Sequence, residues 1–184
     1  VGGNLAHADP ASDLPGAAIA SNATIIVEGR DGEREIPAEE FFFGMYATDI
    51  GPNELLTRVE LPAGDDAVGA YAKKPSPSSG YAIVGVAAQI ELTGDTVTSA
   101  SIGANGAMDH GVRLGPVEDA LEGESPDKDT ISEAASRATE DLDTTTIMED
   151  PQASAEFRAS LLEVYTARAL ETSVEEASAK PTAN

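Results

Sequence analysis

The sequence predicts an α+β fold, and three observations predict it. Strand-like and helix-like segments fall in separate blocks instead of alternating, which argues against a parallel βαβ sheet. The strand-like segments are joined by short turns rich in Gly, Asp and Pro, so neighbouring strands should run antiparallel. Of the 184 residues, 41% are hydrophobic, enough to build a core despite a formal charge of −22.

The chain opens Val1-Gly2-Gly3-Asn4, which reads as a Gly-rich turn. Asp9-Pro10 and Ser12-Asp13 then offer helix N-caps, and Pro15 is tolerated in a first helical turn. The apolar stretch Leu14 to Ile19 predicts a short helix. Ala23 to Glu28, rich in β-branched residues, predicts a strand; Gly29-Arg30-Asp31-Gly32 is turn chemistry, and Glu33 to Ile36 is the returning strand. Pro37 opens a short helical turn carrying Phe41, Phe42 and Phe43, and Glu54 to Leu61 forms another strand with Leu56, Val59 and Leu61 as its apolar positions. Pro62-Ala63-Gly64-Asp65-Asp66 marks a domain boundary.

In the second half, Ala67 to Lys74 predicts a strand and Pro75-Ser76-Pro77-Ser78-Ser79-Gly80 a loop. Tyr81 to Leu92 carries no polar residue before Gln89, the pattern of a buried strand, and turns at Thr93-Gly94-Asp95 into a partner, Thr96 to Gly103. Ile131, Ala134, Ala135 and Ala138 have helical spacing behind a Ser125-Pro126 start. The longest helix is expected from Asp150, with Pro151 at its first position and Phe157, Leu161, Val164 and Tyr165 as its inner stripe, lying across the second sheet. Lys180 to Asn184 is a frayed tail.

Charge excludes several function classes. With 33 acidic against 11 basic residues there is no basic stripe to replace phosphate counterions, which excludes a nucleic-acid binder and an anionic membrane surface as partners. No apolar run approaches the roughly 18 residues of a membrane span, and no signal-like segment is present, so the expectation is a soluble, cytoplasmic protein. The absence of cysteine excludes disulfides, zinc clusters and iron–sulfur centres held by this chain alone. His7 and His110 lack a ligand pattern, so no metal site is expected. The pairs Glu39-Glu40, Glu118-Asp119 and Glu175-Glu176 read as solvated helix faces, and no catalytic side chain emerges from spacing. The acids are scattered, and lysine occurs only at Lys73, Lys74, Lys128 and Lys180. Such a surface stays hydrated in concentrated salt, which predicts a salt-adapted, halophilic protein.

Gly2-Gly3-Asn4 is the first candidate for chemistry. Glycines let backbone N–H groups approach a phosphate closely, and such a nest could hold a pyrophosphate on an acidic chain without Lys or Arg. Taken alone, the same trio is a structural turn.

The string Gly2-Gly3-Asn4-Leu5-Ala6-His7-Ala8-Asp9-Pro10-Ala11-Ser12-Asp13-Leu14-Pro15 closely resembles the second flavin-binding segment of the FAD-binding medium subunits of molybdenum hydroxylases, of the aerobic carbon monoxide dehydrogenase and xanthine dehydrogenase type. The resemblance continues through Ile36 to Gly44, Pro52 to Leu56, Ala70 to Lys73 and Tyr81 to Ala88, and into the last helix from Ser154. It implies the second half of a PCMH-type FAD-binding domain over residues 1–64, a C-terminal domain of antiparallel sheet plus helices over 65–172, and a tail over 173–184. It implies FAD as cofactor, and as partners an iron–sulfur small subunit and a molybdopterin large subunit in a heterotrimer that can dimerise. The first FAD-binding segment of the family has no counterpart here, so the chain is expected to be N-terminally truncated.

By the same resemblance, Gly2, Gly3 and Asn4 bind the FAD diphosphate. Asp13 caps the following helix and contacts the cofactor's polyol or ribose region. Leu56 lies beside the isoalloxazine, Lys73 stands near the flavin, and Tyr81 lies against the ring. The residues alone leave other readings open: Asp13 as a plain N-cap, Leu56 as core, Tyr81 as a packing aromatic, Lys73 as solvated. At the level of function, the rivals are a single-chain PCMH-type flavin oxidase and a cofactor-free acidic interaction module.

Overall fold

The structure, a computed structural model, describes residues 1–62 and 68–179. From Ala63 onward the expected boundary segment lies outside the described residues, as do the strand start at Ala67 and the tail from Lys180 to Asn184.

Two short helices, α1 (Gly2–His7) and α2 (Asp13–Ala20), precede a hairpin of β1 (Thr24–Gly29) and β2 (Gly32–Pro37). One turn of helix, α3 (Ala38–Phe41), and a small hairpin, β3 (Phe42–Gly44) with β4 (Ala47–Thr48), lead to β5 (Leu55–Glu60), which pairs antiparallel with β1. The resulting sheet has the order β2-β1-β5. Its inner face presents Ile25 and Val27 to Leu5, Ile19 and Phe41. Opposite Ile25 and Val27 stand Val59 and Leu56, three residues apart, which would point to opposite faces in a regular strand. A register shift between Ile26 and Val27 sets one extra β5 residue against β1, so both side chains reach this core.

The second sheet is an antiparallel meander of β6 (Val68–Pro75), β7 (Ala82–Thr93), β8 (Thr96–Asn105) and β9 (Val112–Arg113). It is followed by α4 (Gly115–Leu121), α5 (Lys128–Ser136), a 3-10 turn at Thr144–Thr146, and α6 (Ala155–Ala179). One face of this sheet carries Val84, Val86, Ile90 and Ile102, packed on Leu121, Ile131, Leu162 and Leu170 of the helices. The other face is paved with Gly85, Ala87 and Gly103 and is covered by α2, which therefore joins the two sheets. Burial on both faces explains why β7 is a continuous apolar run instead of an alternating one.

Arg113 and Glu118 tie the halves together at the other end of α2. Arg113 donates to Asn22 Oδ1 at 2.8 Å and Glu39 Oε2 at 2.9 Å in the first half, and to Glu118 Oε2 at 3.0 Å in the second. Glu118 also accepts the Ile102 amide at 2.7 Å, and its burial pushes its pKa up from the ordinary carboxylate value.

The architecture agrees with the α+β expectation, and six local expectations are corrected. The Gly2-Gly3 opening is the first turn of a helix and not a turn between elements. Ser12, not Asp13, occupies the N-cap of α2, and Asp13 is its first residue. Helix α3 ends at Phe41; Phe42 and Phe43 are in a strand, with Phe43 exposed. The last helix starts at Ala155, because the Asp150 carboxylate accepts the amides of Gln152 and Ala153 in a turn and Ser154 Oγ accepts that of Phe157. Its inner face is Arg158, Leu161, Leu162, Tyr165, Ala169 and Leu170, whereas Phe157 and Val164 are exposed. Glu118, expected to be solvated, is the paired and largely buried carboxylate just described. Elements β3, β4, β9 and α4 carry no sequence signal noted above; the hairpin and β9 strands are only two or three residues long. Among the described residues no helix is long and apolar enough to cross a membrane, and no cluster of three or more His, Asp or Glu side chains could hold a metal ion.

Candidate functional site

Helix α1 is short because it is closed at both ends. Val1 O accepts the Asn4 and Leu5 amides at 3.0 and 3.2 Å, and Ala8, left-handed at φ 50°, ends the helix with its amide on Asn4 O and Leu5 O. The amides of Gly2 and Gly3 are in the first turn and have no intrahelical acceptor. Asn4 is anchored through Oδ1, which accepts the Ser12 hydroxyl at 2.7 Å and ties α1 to the start of α2. Gly2 lies against Leu56: a Cβ on it would stand 3.3 Å from Leu56 Cδ2. A Cβ on Gly3 would meet nothing within 4 Å, and Gly3 has no positive φ. Neither packing nor backbone conformation of the chain demands glycine at position 3. Its backbone is bare. Beside it opens an apolar cavity of about 570 Å³ lined by Gly2, Leu5, Leu14, Leu56 and Val59.

Asp13 stands at the N-terminus of α2, where a carboxylate is favoured by the helix dipole. Its Oδ2 accepts Lys73 Nζ at 2.7 Å and its Oδ1 accepts the Tyr71 hydroxyl at 2.8 Å. Lys73 donates a second bond to Gly80 O at 3.0 Å, and the Tyr71 hydroxyl lies 3.2 Å from Asn105 Oδ1. Burial, and then the Asp13 carboxylate, push the Tyr71 pKa far above that of free tyrosine, so the phenol remains a donor at any working pH. The first half of the chain thus meets the second through an ion pair and a phenol on one carboxylate.

Tyr81 is half exposed on the wall of a second cavity of about 460 Å³, with Asp9, Met45, Ser76, Gln152 and Arg158. Arg158 is only 4% exposed and holds this wall together. It donates to Ile83 O at 2.5 Å, Gly106 O at 2.7 Å and Asp150 Oδ2 at 2.5 Å, joining β7, the end of β8 and the turn before α6.

Residues 1–64 match the family described as the FAD binding domain in molybdopterin dehydrogenase, and residues 69–173, more than half the chain, match the CO dehydrogenase flavoprotein C-terminal domain. The chain belongs to the CO dehydrogenase flavoprotein family. It is 31% identical to the glyceraldehyde dehydrogenase medium chain of Sulfolobus acidocaldarius, over 92% of this chain and 59% of that relative. Carbon monoxide dehydrogenase from Hydrogenophaga pseudoflava contains a chain that superposes with a TM-score of 0.88 at 29% identity, over 95% of this chain and 60% of that one. Quinoline 2-oxidoreductase from Pseudomonas putida 86 gives 0.85 at 29% identity. The chain therefore spans less than two thirds of the length of the relatives it matches.

Within this flavoprotein fold the seven residues singled out by sequence fall into three places. Gly2, Gly3, Asn4 and Leu56 gather around α1 and the apolar cavity. Asp13 and Lys73 are an ion pair. Tyr81 lies on the second cavity, next in the chain to Gly80, whose carbonyl accepts from Lys73, and its hydroxyl makes no hydrogen bond among the described residues. Sequence reasoning missed Tyr71, Asn105 and Arg158. One signal was present for the first: Tyr71 and Lys73 are two apart on a strand and share a face.

Proposed function

We propose that the chain forms the FAD-binding part of a medium subunit that receives electrons from iron–sulfur clusters on a partner small subunit and passes them to an external acceptor. Substrate oxidation belongs, on this reading, to a molybdopterin large subunit. Residues 1–64 are the cofactor-binding unit and 65–172 the C-terminal domain; the expected tail from 173 begins inside α6, where Ser173 is buried and donates to Ala88 O, so the helix belongs with that domain through Ala179. FAD, once bound, supplies the redox chemistry.

The chain's own residues bind and orient. The bare backbone at Gly3 carries the proposal, because it offers first-turn amides to a diphosphate at a place where a side chain would obstruct approach and no internal packing explains its absence. Gly2 and Asn4 complete that cradle, with Asn4 fixed by Ser12. Asp13 accepts from hydroxyl groups of the cofactor's polyol or ribose, while Lys73, engaged with Asp13, acts near the flavin by holding that carboxylate. Leu56 and Tyr81 flank the ring.

The test is composition of the native complex purified through this subunit. FAD, an iron–sulfur chain and a molybdopterin chain should co-purify in fixed ratio. A colourless preparation, or a yellow monomer that reduces oxygen without partners, refutes the assignment.

A further inference from the structure

Lys73, Gly85 and Asn105 stand in one row across β6, β7 and β8: Lys73 pairs with Gly85, and Gly85 pairs with Asn105. The row lies on the face covered by α2, and Tyr71 shares that face two residues before Lys73. Gly85 is the small member between two long ones. A Cβ on it would run into the Tyr71 hydroxyl and stand 3.0 Å from Asn105 Nδ2, so the absence of a side chain there admits the phenol oxygen.

Tyr71 has one proton and two acceptor oxygens within reach, Asp13 Oδ1 at 2.8 Å and Asn105 Oδ1 at 3.2 Å. Asn105 is 1% exposed, and its Nδ2 has no partner among the described residues. Turning the amide gives Nδ2 an acceptor in the phenol oxygen and frees the phenol proton for Asp13 alone. Asn105 then donates to the phenol oxygen, and the phenol donates to Asp13. Lys73 holds the other carboxylate oxygen.

A carboxylate has about four acceptor positions, so two remain at Asp13, whose side chain is 41% exposed. They suit a ligand with hydroxyl groups and repel a phosphate. We propose that Tyr71, set by Asn105 and given room by Gly85, is a positioning residue that aims the Asp13 carboxylate at hydroxyl groups of the cofactor's sugar-alcohol chain. The inference rests on the FAD reading above.

The experiment uses the native complex, freed of flavin and titrated with FAD, in wild type, Tyr71→Phe, Asp13→Asn, the double variant and Lys74→Met as control. Tyr71→Phe keeps the ring and removes one donor to a charged acceptor, so FAD should bind about tenfold more weakly. The double variant should bind no more weakly than Asp13→Asn, because Tyr71 acts through Asp13. The flavin-free Tyr71→Phe complex should unfold somewhat earlier, having lost one hydrogen bond between the halves, yet remain fully folded at the titration temperature, and Lys74→Met should match wild type. Wild-type affinity in Tyr71→Phe, full additivity in the double variant, or partial unfolding of Tyr71→Phe at the titration temperature overturns the positioning role. Failure of the wild-type complex to take up FAD instead overturns the underlying reading, and the inference with it.

Discussion

Gly16 of α2 and Gly103 of β8 meet backbone to backbone, and a Cβ on Gly103 would collide with the Gly16 carbonyl oxygen and stand 2.9 Å from the Ala20 amide. This contact brings α2, and Asp13 at its head, down onto the second sheet. Neither partner can yield, since both are main chain in buried elements. Gly103→Ala should destabilise the protein by about 3 kcal/mol, the upper range for overpacking a filled interior. Urea unfolding measures it, and a variant as stable as wild type would show that α2 does not rest on β8 in solution.

Much of this architecture was legible in the sequence, and the reasons differ by element. The β1–β2 and β7–β8 hairpins announce themselves because each Gly-containing turn follows a run rich in β-branched residues, Thr24 to Val27 in β1 and Ile83 to Ile90 in β7. The start of α6 was misplaced for a physical reason: Asp150-Pro151 has the chemistry of a helix start, yet the Asp150 side chain bonds the amides two and three residues on and closes a turn instead. Its inner stripe holds at Leu161 and Tyr165 but not at Phe157 and Val164, because a buried arginine, Arg158, takes the core position that hydrophobic periodicity assigns to Phe157. At the site, the glycine pair was legible as chemistry but not as a helix. The meeting of Asp13 with Tyr71 joins residues 58 apart, which no local pattern reports.

Gly3→Val separates structure from binding. With open space where the side chain would go, the substitution should leave thermal stability within about 0.5 kcal/mol, the usual range for surface changes. The same side chain would block close approach of a diphosphate to the first turn of α1. The expected result is a folded subunit without flavin absorbance. Undiminished flavin absorbance in the purified variant removes α1 from the site.

Acid should loosen the first sheet through Glu54. Its carboxylate accepts Arg34 Nε and Nη2 at 2.9 and 2.8 Å and the Gly51 amide at 2.7 Å. Above all the Arg34 hydrogen bonds, then the Gly51 amide, lower its pKa from 4.5 to about 2. A folded-state pKa below the unfolded one means that the unfolded chain binds more protons in this window. The contribution to stability is therefore present above pH 4.5 and is lost as pH falls towards about 2. Glu54→Gln should flatten the stability profile over that window, measured by urea midpoints at stepped pH, and an unchanged slope would assign the acid sensitivity elsewhere.

Salt should stabilise the fold. Arg34, Arg58, Arg113, Arg137, Arg158 and Lys73 are already engaged with carboxylates. With 33 acidic and 11 basic residues in the chain, most carboxylates have no cation to meet. Screening weakens the exposed ion pairs, each worth roughly 0–1 kcal/mol, but it also shortens the reach of repulsion among the surplus acids to about 3 Å at 1 M. The surplus outnumbers the pairs, so relief of repulsion is the larger effect and the thermal midpoint should rise as KCl goes from millimolar to molar. A midpoint that falls instead would mean that the few pairs outweigh the many unpaired acids, and that the surface is not built for concentrated salt.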